Sequence, residues 1–380
     1  MKTVIFQLEG DEWISDNLTN VSNAATAGLV LCFASKKKLA DATIYATVSK
    51  KFPGAQIAMC STAGEIFHDA VHDDSLVAAA IQFNDTTVQT ASVNIADFKN
   101  SYDAAGALVK KLTSKNLVNI LIFSDGNLVN GSELVKGLND AAENKILITG
   151  GLAGDSSDFK STLVGLNQQP SEGNIVAIGF YGDKISVTHG SQGGWDTFGP
   201  EREVTKSSGN KLFEIDNKNA LALYIKYLGP DADQLPGSAL LFPLSVIIPG
   251  SPQPVVRTII SIDNEQRSMT FAGDIPEGSK VRFMKANFDK LTSAAAKAAQ
   301  QTLLGKKTKP GFSLLVSCVG RKIILGARID EEVEAVIESL GDETPVAGFY
   351  SYGEISPFNE GGACRLHNQT MTITSFYELP

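Results

Sequence analysis

The chain has 380 residues, enough for two domains and a large core, and 43% hydrophobic with 20% charged content fits a globular protein rather than a disordered or fibrous one. A net charge of −9 with no long basic run argues against a nucleic-acid or anionic-membrane partner held by charge. No apolar run approaches the ~20 residues of a membrane span.

At the N-terminus, Gln7 and Glu9 come too early for a signal peptide, so a cytoplasmic protein is expected. The four cysteines, Cys32, Cys60, Cys318 and Cys364, have no paired spacing and read as buried small hydrophobes of a reduced compartment. Lys36-Lys37-Lys38 reads as a solvated helix face. Residues 3–8 suit an edge strand and 15–27 a short polar helix.

A first unit then follows: strand 29–35, helix 38–51 with Ala40, Ile44 and Val48 on one face, and strand 55–60. Strands 76–83 and 88–93 flank Asn84-Asp85 as a hairpin. After helix 101–114 the order returns: strand 119–124, helix 131–143, strand 145–149, then strands 176–181 and 185–188 around Gly182-Asp183. The Gly- and Pro-rich stretch 189–200 marks a connection, and a domain boundary is placed near residue 205, giving domains 1–205 and 206–380. Helix 219–228 carries the stripe Leu221, Tyr224, Ile225, Leu228 and stops at Gly229-Pro230. Strands near 239–284 and helix 287–304 lead to a third unit: strand 312–318, helix 330–340, strand 345–349, then strands 364–367 and 371–377 around Asn368-Gln369. The predicted fold is α/β: mixed parallel/antiparallel sheets flanked by helices, built from repeated strand-helix-strand-hairpin units.

In each unit the second strand runs into a loop ending in glycine and a carboxylate: Ser61-Thr-Ala-Gly64-Glu65, Gly150-Gly-Leu-Ala-Gly154-Asp155, and Ser351-Tyr-Gly353-Glu354. Two readings stay open. The glycine can hold a positive φ while the acid fastens nearby N–H groups. Alternatively the loops converge at the carboxyl ends of the parallel strands, where ligands gather. Glu65, Asp155 and Glu354 would then meet a cationic group, with hydrogen bonds from Ser61, Thr62, Ser351 and Tyr352. Chemical density favours a pocket in the C-terminal part around Tyr350, Ser351, Tyr352, Glu354, His367 and Asn368. His367, aligned with Phe83 and Tyr181, is read either as packing or as a ligand contact. His68 and His72 are four apart but lie in a loop without HExxH, and His189 is read as a surface residue. A nucleophile elbow, a phosphate loop and a dinucleotide fingerprint are absent from the sequence.

Residues 58–66, 150–155, 348–357 and 366–371 together resemble the FIST sensory-domain family, over about residues 28–377. The pair Tyr-Ser-Tyr-Gly-Glu-Ile and His-Asn-Gln-Thr is the most specific part. The resemblance implies a stand-alone intracellular small-ligand sensor in bacterial signal transduction, not an enzyme, signalling through a separate partner. Amino acids are the ligand class proposed for the family. Some members resemble haem-binding nitric-oxide sensors that regulate a histidine kinase; one of His367, His189, His68 and His72 would then hold the iron. An enzyme using the pocket carboxylates is the alternative from another class.

Overall fold

The computed structural model describes residues 1–15, 26–235, 237–251 and 253–379. The polar helix expected over 15–27 falls almost entirely outside them. The repeat is present. In each unit the leading and following strands run parallel across a helix: Leu29–Ser35 with Gln56–Thr62, Leu117–Ser124 with Leu147–Leu152, and Phe312–Cys318 with Val346–Ser351. A third strand pairs antiparallel with each leading strand: Leu76–Gln82, Asn174–Tyr181 and Met371–Glu378. Three six-stranded sheets of mixed direction result, with the same order at their centres.

The expected hairpins are not formed. Leu76–Gln82 stays in the first sheet, but Thr87–Asn94 crosses to the edge of the second, against Asn174–Tyr181. Ile185–Gln192 likewise leaves the second sheet for the third. In the third unit, Cys364–His367 lies in the second sheet and Met371–Glu378 in the third. A tight turn is a local signal, whereas the sheet a strand joins is set by which edge lies open. His367 therefore has a different counterpart from the one expected. It faces Glu354 across its ladder as His72 faces Glu65, so its equivalent is His72 and not Phe83 or Tyr181.

The Gly-carboxylate loops are the other crossovers. After Glu65 the chain pairs with the third sheet, after Glu354 with the second, and after Asp155 strand Val164–Leu166 pairs with the first. The sheets thus exchange strands cyclically around one core. Leu31, Phe33, Phe123, Ile178, Phe180, Leu314, Phe349 and Phe376 from all three sheets meet in it. Helices Ser101–Leu112, Gly131–Ala141, Phe288–Leu303 and Ile329–Leu340 cover outer faces through a second cluster. Asparagine starts several helices: Asn100, Asn130, Asn219 and Asn287 each accept a first-turn N–H through the side chain. The helix expected over 38–51 is two pieces, Lys36–Leu39 and Ile44–Lys51, because Asp41 Oδ1 accepts from Thr43 N and restarts the chain.

Between Ile185–Gln192 and the third unit a further body is inserted. Its eight-stranded sheet, with Asp196–Ser208 and Lys280–Lys285 paired at its centre, packs on helix Ala220–Leu228 with its own core of Leu221, Tyr224, Phe271 and Phe283. Residue 205 lies inside strand Asp196–Ser208.

Candidate functional site

The three Gly-carboxylate loops converge. Gly154 N donates to Ser61 O (2.9 Å), Ala63 N to Tyr350 O (2.8 Å) and Tyr350 N to Gly64 O (2.8 Å). Their side chains fill the space between them. Ser61, Glu65, Tyr350, Ser351 and Glu354 are fully buried, and Thr62 nearly so. Of the three loop glycines, Gly64 has the expected positive φ, 143°. Gly154 is needed for a different reason: a Cβ there would sit 2.9 Å from Ala63 N, so glycine permits the close approach.

Two of the acids share one design. Glu65 accepts from Thr62 Oγ1, from Ser75 N (2.9 Å) and from Ser75 Oγ (2.8 Å). Glu354 accepts from Ser351 Oγ (2.9 Å), Thr370 N (3.2 Å) and Thr370 Oγ1 (2.8 Å). Each ties its loop to the strand that follows. Burial pushes Glu354 up to about 8 and Glu65 up to about 7, against the hydroxyl and N–H donors that favour the charge. Unfolded, both ionise near the ordinary glutamate value. The stability they contribute is therefore full below that value and is lost as pH rises through the folded pKa. Between about pH 5 and pH 8 the decline should be about 1.4 kcal/mol per pH unit for each acid that stays protonated. Glu354→Gln should flatten a melting-temperature series across this window. A variant series as steep as that of the wild type would show Glu354 ionised throughout.

Asp155 works differently. Its Oδ1 accepts from Tyr352 Oη and from Phe159 N (2.8 Å), and its Oδ2 from Lys160 N (2.9 Å) and Ser161 N (2.8 Å). This carboxylate folds segment 155–161 against the Tyr352 ring. Phe159 then stacks on Tyr352, with centroids 4.6 Å apart and planes at 19°.

That stack lines two chambers, which share part of their lining, where the three-sheet body meets the inserted subdomain. The wider chamber, about 560 Å³, is lined by Asn127, Asn130, Asn210, Ser261 and Asp274 among others. The narrower, about 310 Å³, is lined by Leu240, Thr258, Cys318, Gly320, Ile323 and Asn368 among others. Phe159, Tyr352, Ile260 and Ala272 line both. Volumes of this order suit a small organic molecule. Asn368 and Thr258 are 1% and 5% exposed, and Asn368 Oδ1 and Thr258 Oγ1 have no hydrogen-bond partner among the described residues. Native proteins rarely leave such atoms unpaired. Asn368 comes from the body and Thr258 from the subdomain, on facing sides of one space.

Of the residues singled out by sequence, Tyr352 and Asn368 line these chambers; Tyr350, Ser351, Glu354, His367, Ser61, Thr62, Glu65 and Asp155 line neither. Phe159 and Thr258 were missed. Phe159, a lone aromatic in the polar segment 155–162, carried a signal; Thr258 carried none.

Neither chamber offers a haem a histidine. His367 is buried, its Nε2 lies 2.8 Å from Ser356 O, and the Phe358 ring meets it edge-on with centroids 4.5 Å apart. Burial pushes its imidazolium down to about 4, so the ring is neutral. His189 Nδ1 lies 3.4 Å from Ser356 Oγ, and none of His68, His72, His189 and His367 lines either chamber. Among the described residues no group of three metal-ligating side chains is assembled.

Three sheets sharing one core, with an inserted subdomain closing over their loop end, define an α/β module with a cleft between body and subdomain. Models of the FIST N domain and the FIST C domain match residues 28–218 and 220–357, and the chain belongs to the FIST family. FIST domains are small-ligand sensory domains of signal transduction. The chain matches no curated protein. It is similar over 99% of both chains to a solved structure described as "Cyanuric acid hydrolase: evolutionary innovation by structural concatenation", at 8% identity and a TM-score of 0.36, a likeness too distant to carry an argument. No helix among the described residues is long and apolar enough to cross a membrane.

Proposed function

We propose that this chain is a sensor that binds a small molecule in the cleft between the three-sheet body and the inserted subdomain, and passes the signal to a partner protein. The observation that carries this reading is the pairing of Asn368 Oδ1 and Thr258 Oγ1. Both are buried and unpartnered among the described residues, they come from the two sides, and their residues line one chamber. A ligand satisfying both fixes the subdomain against the body, and only such differential binding can shift a conformational equilibrium. The split into 1–205 and 206–380 is proposed as modular in origin, since in space the two halves exchange strands. Tyr352 and Asn368 contact the ligand. Tyr350, Ser351, Glu354, His367, Ser61, Thr62, Glu65 and Asp155 position them from behind.

A thermal-shift screen of small metabolites tests the reading. A ligand present at 100 times its Kd stabilises the folded state by about 2.7 kcal/mol. Hits found with the wild type should vanish with Ala272→Trp, which puts a bulky ring into the lining that the two chambers share. Thr258→Val removes one hydroxyl at constant shape and should weaken the hits by about 2- to 12-fold. Hits that survive Ala272→Trp unchanged would place the ligand elsewhere.

A further inference from the structure

We infer that the ligand's buried end is an uncharged flat ring bearing an N–H or O–H donor, held in the narrower chamber against Phe159 with its donor on Asn368. This rests on the cleft being the ligand site. Among the described residues, no Asp, Glu, Lys, Arg or His lines that chamber. Asp155, close behind the Phe159–Tyr352 stack, has both oxygens occupied by Tyr352 and by the N–H groups of Phe159, Lys160 and Ser161. An ion entering would lose its hydration and find no opposite charge, a cost that polar neutral groups largely escape. Uncharged polar groups at Ser157, Tyr352 and Cys318 share the lining with the apolar Leu240, Ile259, Val319 and Ile323.

The donor requirement follows from Asn368. Its Nδ2 donates to His367 O at 2.9 Å. Turning the amide over would set two carbonyl oxygens together, so the assignment is fixed and an acceptor is left unpartnered. A carbonyl oxygen is satisfied by a donor and by nothing else. Thr258 can give or take, which accommodates a second polar atom on the same ring. Flatness follows from Phe159. It lines both chambers and is 44% exposed although it is stacked on Tyr352, so part of an aromatic ring is left open at the cleft.

Saturation-transfer NMR titrations of the full chain test this with matched probes: indole and N-methylindole, phenol and anisole, benzoate and benzylammonium. Indole and phenol should bind the wild type. Their methylated partners should bind at least about tenfold more weakly, and the two ions most weakly. Asn368→Ala, checked by thermal melt, should bring indole and N-methylindole to parity. Thr258→Val should leave the indole preference standing, and Ala272→Trp should abolish binding of all probes. Should the ions bind as well as the neutral rings and be lost in Ala272→Trp, the ligand class is overturned while the cleft stands as the site. Equal binding of indole and N-methylindole to the wild type overturns the donor requirement. Failure of every probe to bind, or binding indifferent to Ala272→Trp, overturns both the class and the cleft reading.

Discussion

Glu332→Ala should cost about 3–5 kcal/mol of folding stability, because it strands a buried guanidinium. Arg321 and Glu332 are both fully buried. Arg321 Nε donates to Glu332 Oε2 (2.7 Å), its Nη1 to Gly193 O (2.6 Å) and its Nη2 to Leu291 O (2.9 Å). Glu332 Oε1 accepts from Ser317 Oγ and Tyr350 Oη, both at 2.9 Å. Tyr350 is pushed well above the usual phenol range by burial and by the Glu332 charge, so it remains a donor. The network reaches the connection that leads into the subdomain, where Trp195 Nε1 also donates to Gln369 O (2.9 Å). It therefore anchors the subdomain's origin beside Gly320, a residue of the narrower chamber. The double replacement of Arg321 by Met and Glu332 by Leu removes both charges and should cost less than Glu332→Ala alone. Denaturant unfolding of the single and double variants measures both. A single-variant loss below about 1 kcal/mol, the range of exposed pairs, would contradict the network's role.

Phe349→Ala should cost a comparable amount, about 3–5 kcal/mol. Phe349 stacks on Phe33 with centroids 5.0 Å apart and meets Phe123 edge-on at 5.9 Å. One ring comes from each sheet, so the cavity left behind opens where all three meet. The loss should appear in calorimetry as a downward shift of one cooperative transition for the body. Two separated transitions, with one unmoved, would show that the sheets unfold independently despite their exchanged strands.

The repeat was legible because each unit carries the same local chemistry: an apolar run, a helix stripe, and a loop closed by glycine and an acid. What each loop does was not. The sequence reading allowed both a fastening role and a cation site for Glu65 and Glu354, and the structure shows hydroxyl and N–H partners at each. Those partners, Ser75 and Thr370, lie 10 and 16 residues away, and no local pattern announces them. The crossovers escaped notice for a related reason. Asn84-Asp85 reads as a hairpin turn, yet Glu378, far along the chain, accepts from Asn84 N, Asp85 N and Thr86 N and holds the chain as it leaves for another sheet. His367 was aligned by counting strands, and an exchange of strands is what such counting cannot detect. Tyr352 and Asn368 were found through the motif. Thr258 reached the cleft only through packing of the inserted subdomain.

The central claim is that a small molecule occupies the cleft lined by Tyr352, Phe159, Asn368 and Thr258. Mass spectrometry of small molecules released on denaturing the purified protein tests it most directly, with wild type and Ala272→Trp prepared side by side and both shown to be folded. The account predicts a stoichiometric species from the wild type that is missing from Ala272→Trp. The same species released in equal amount by both would contradict it.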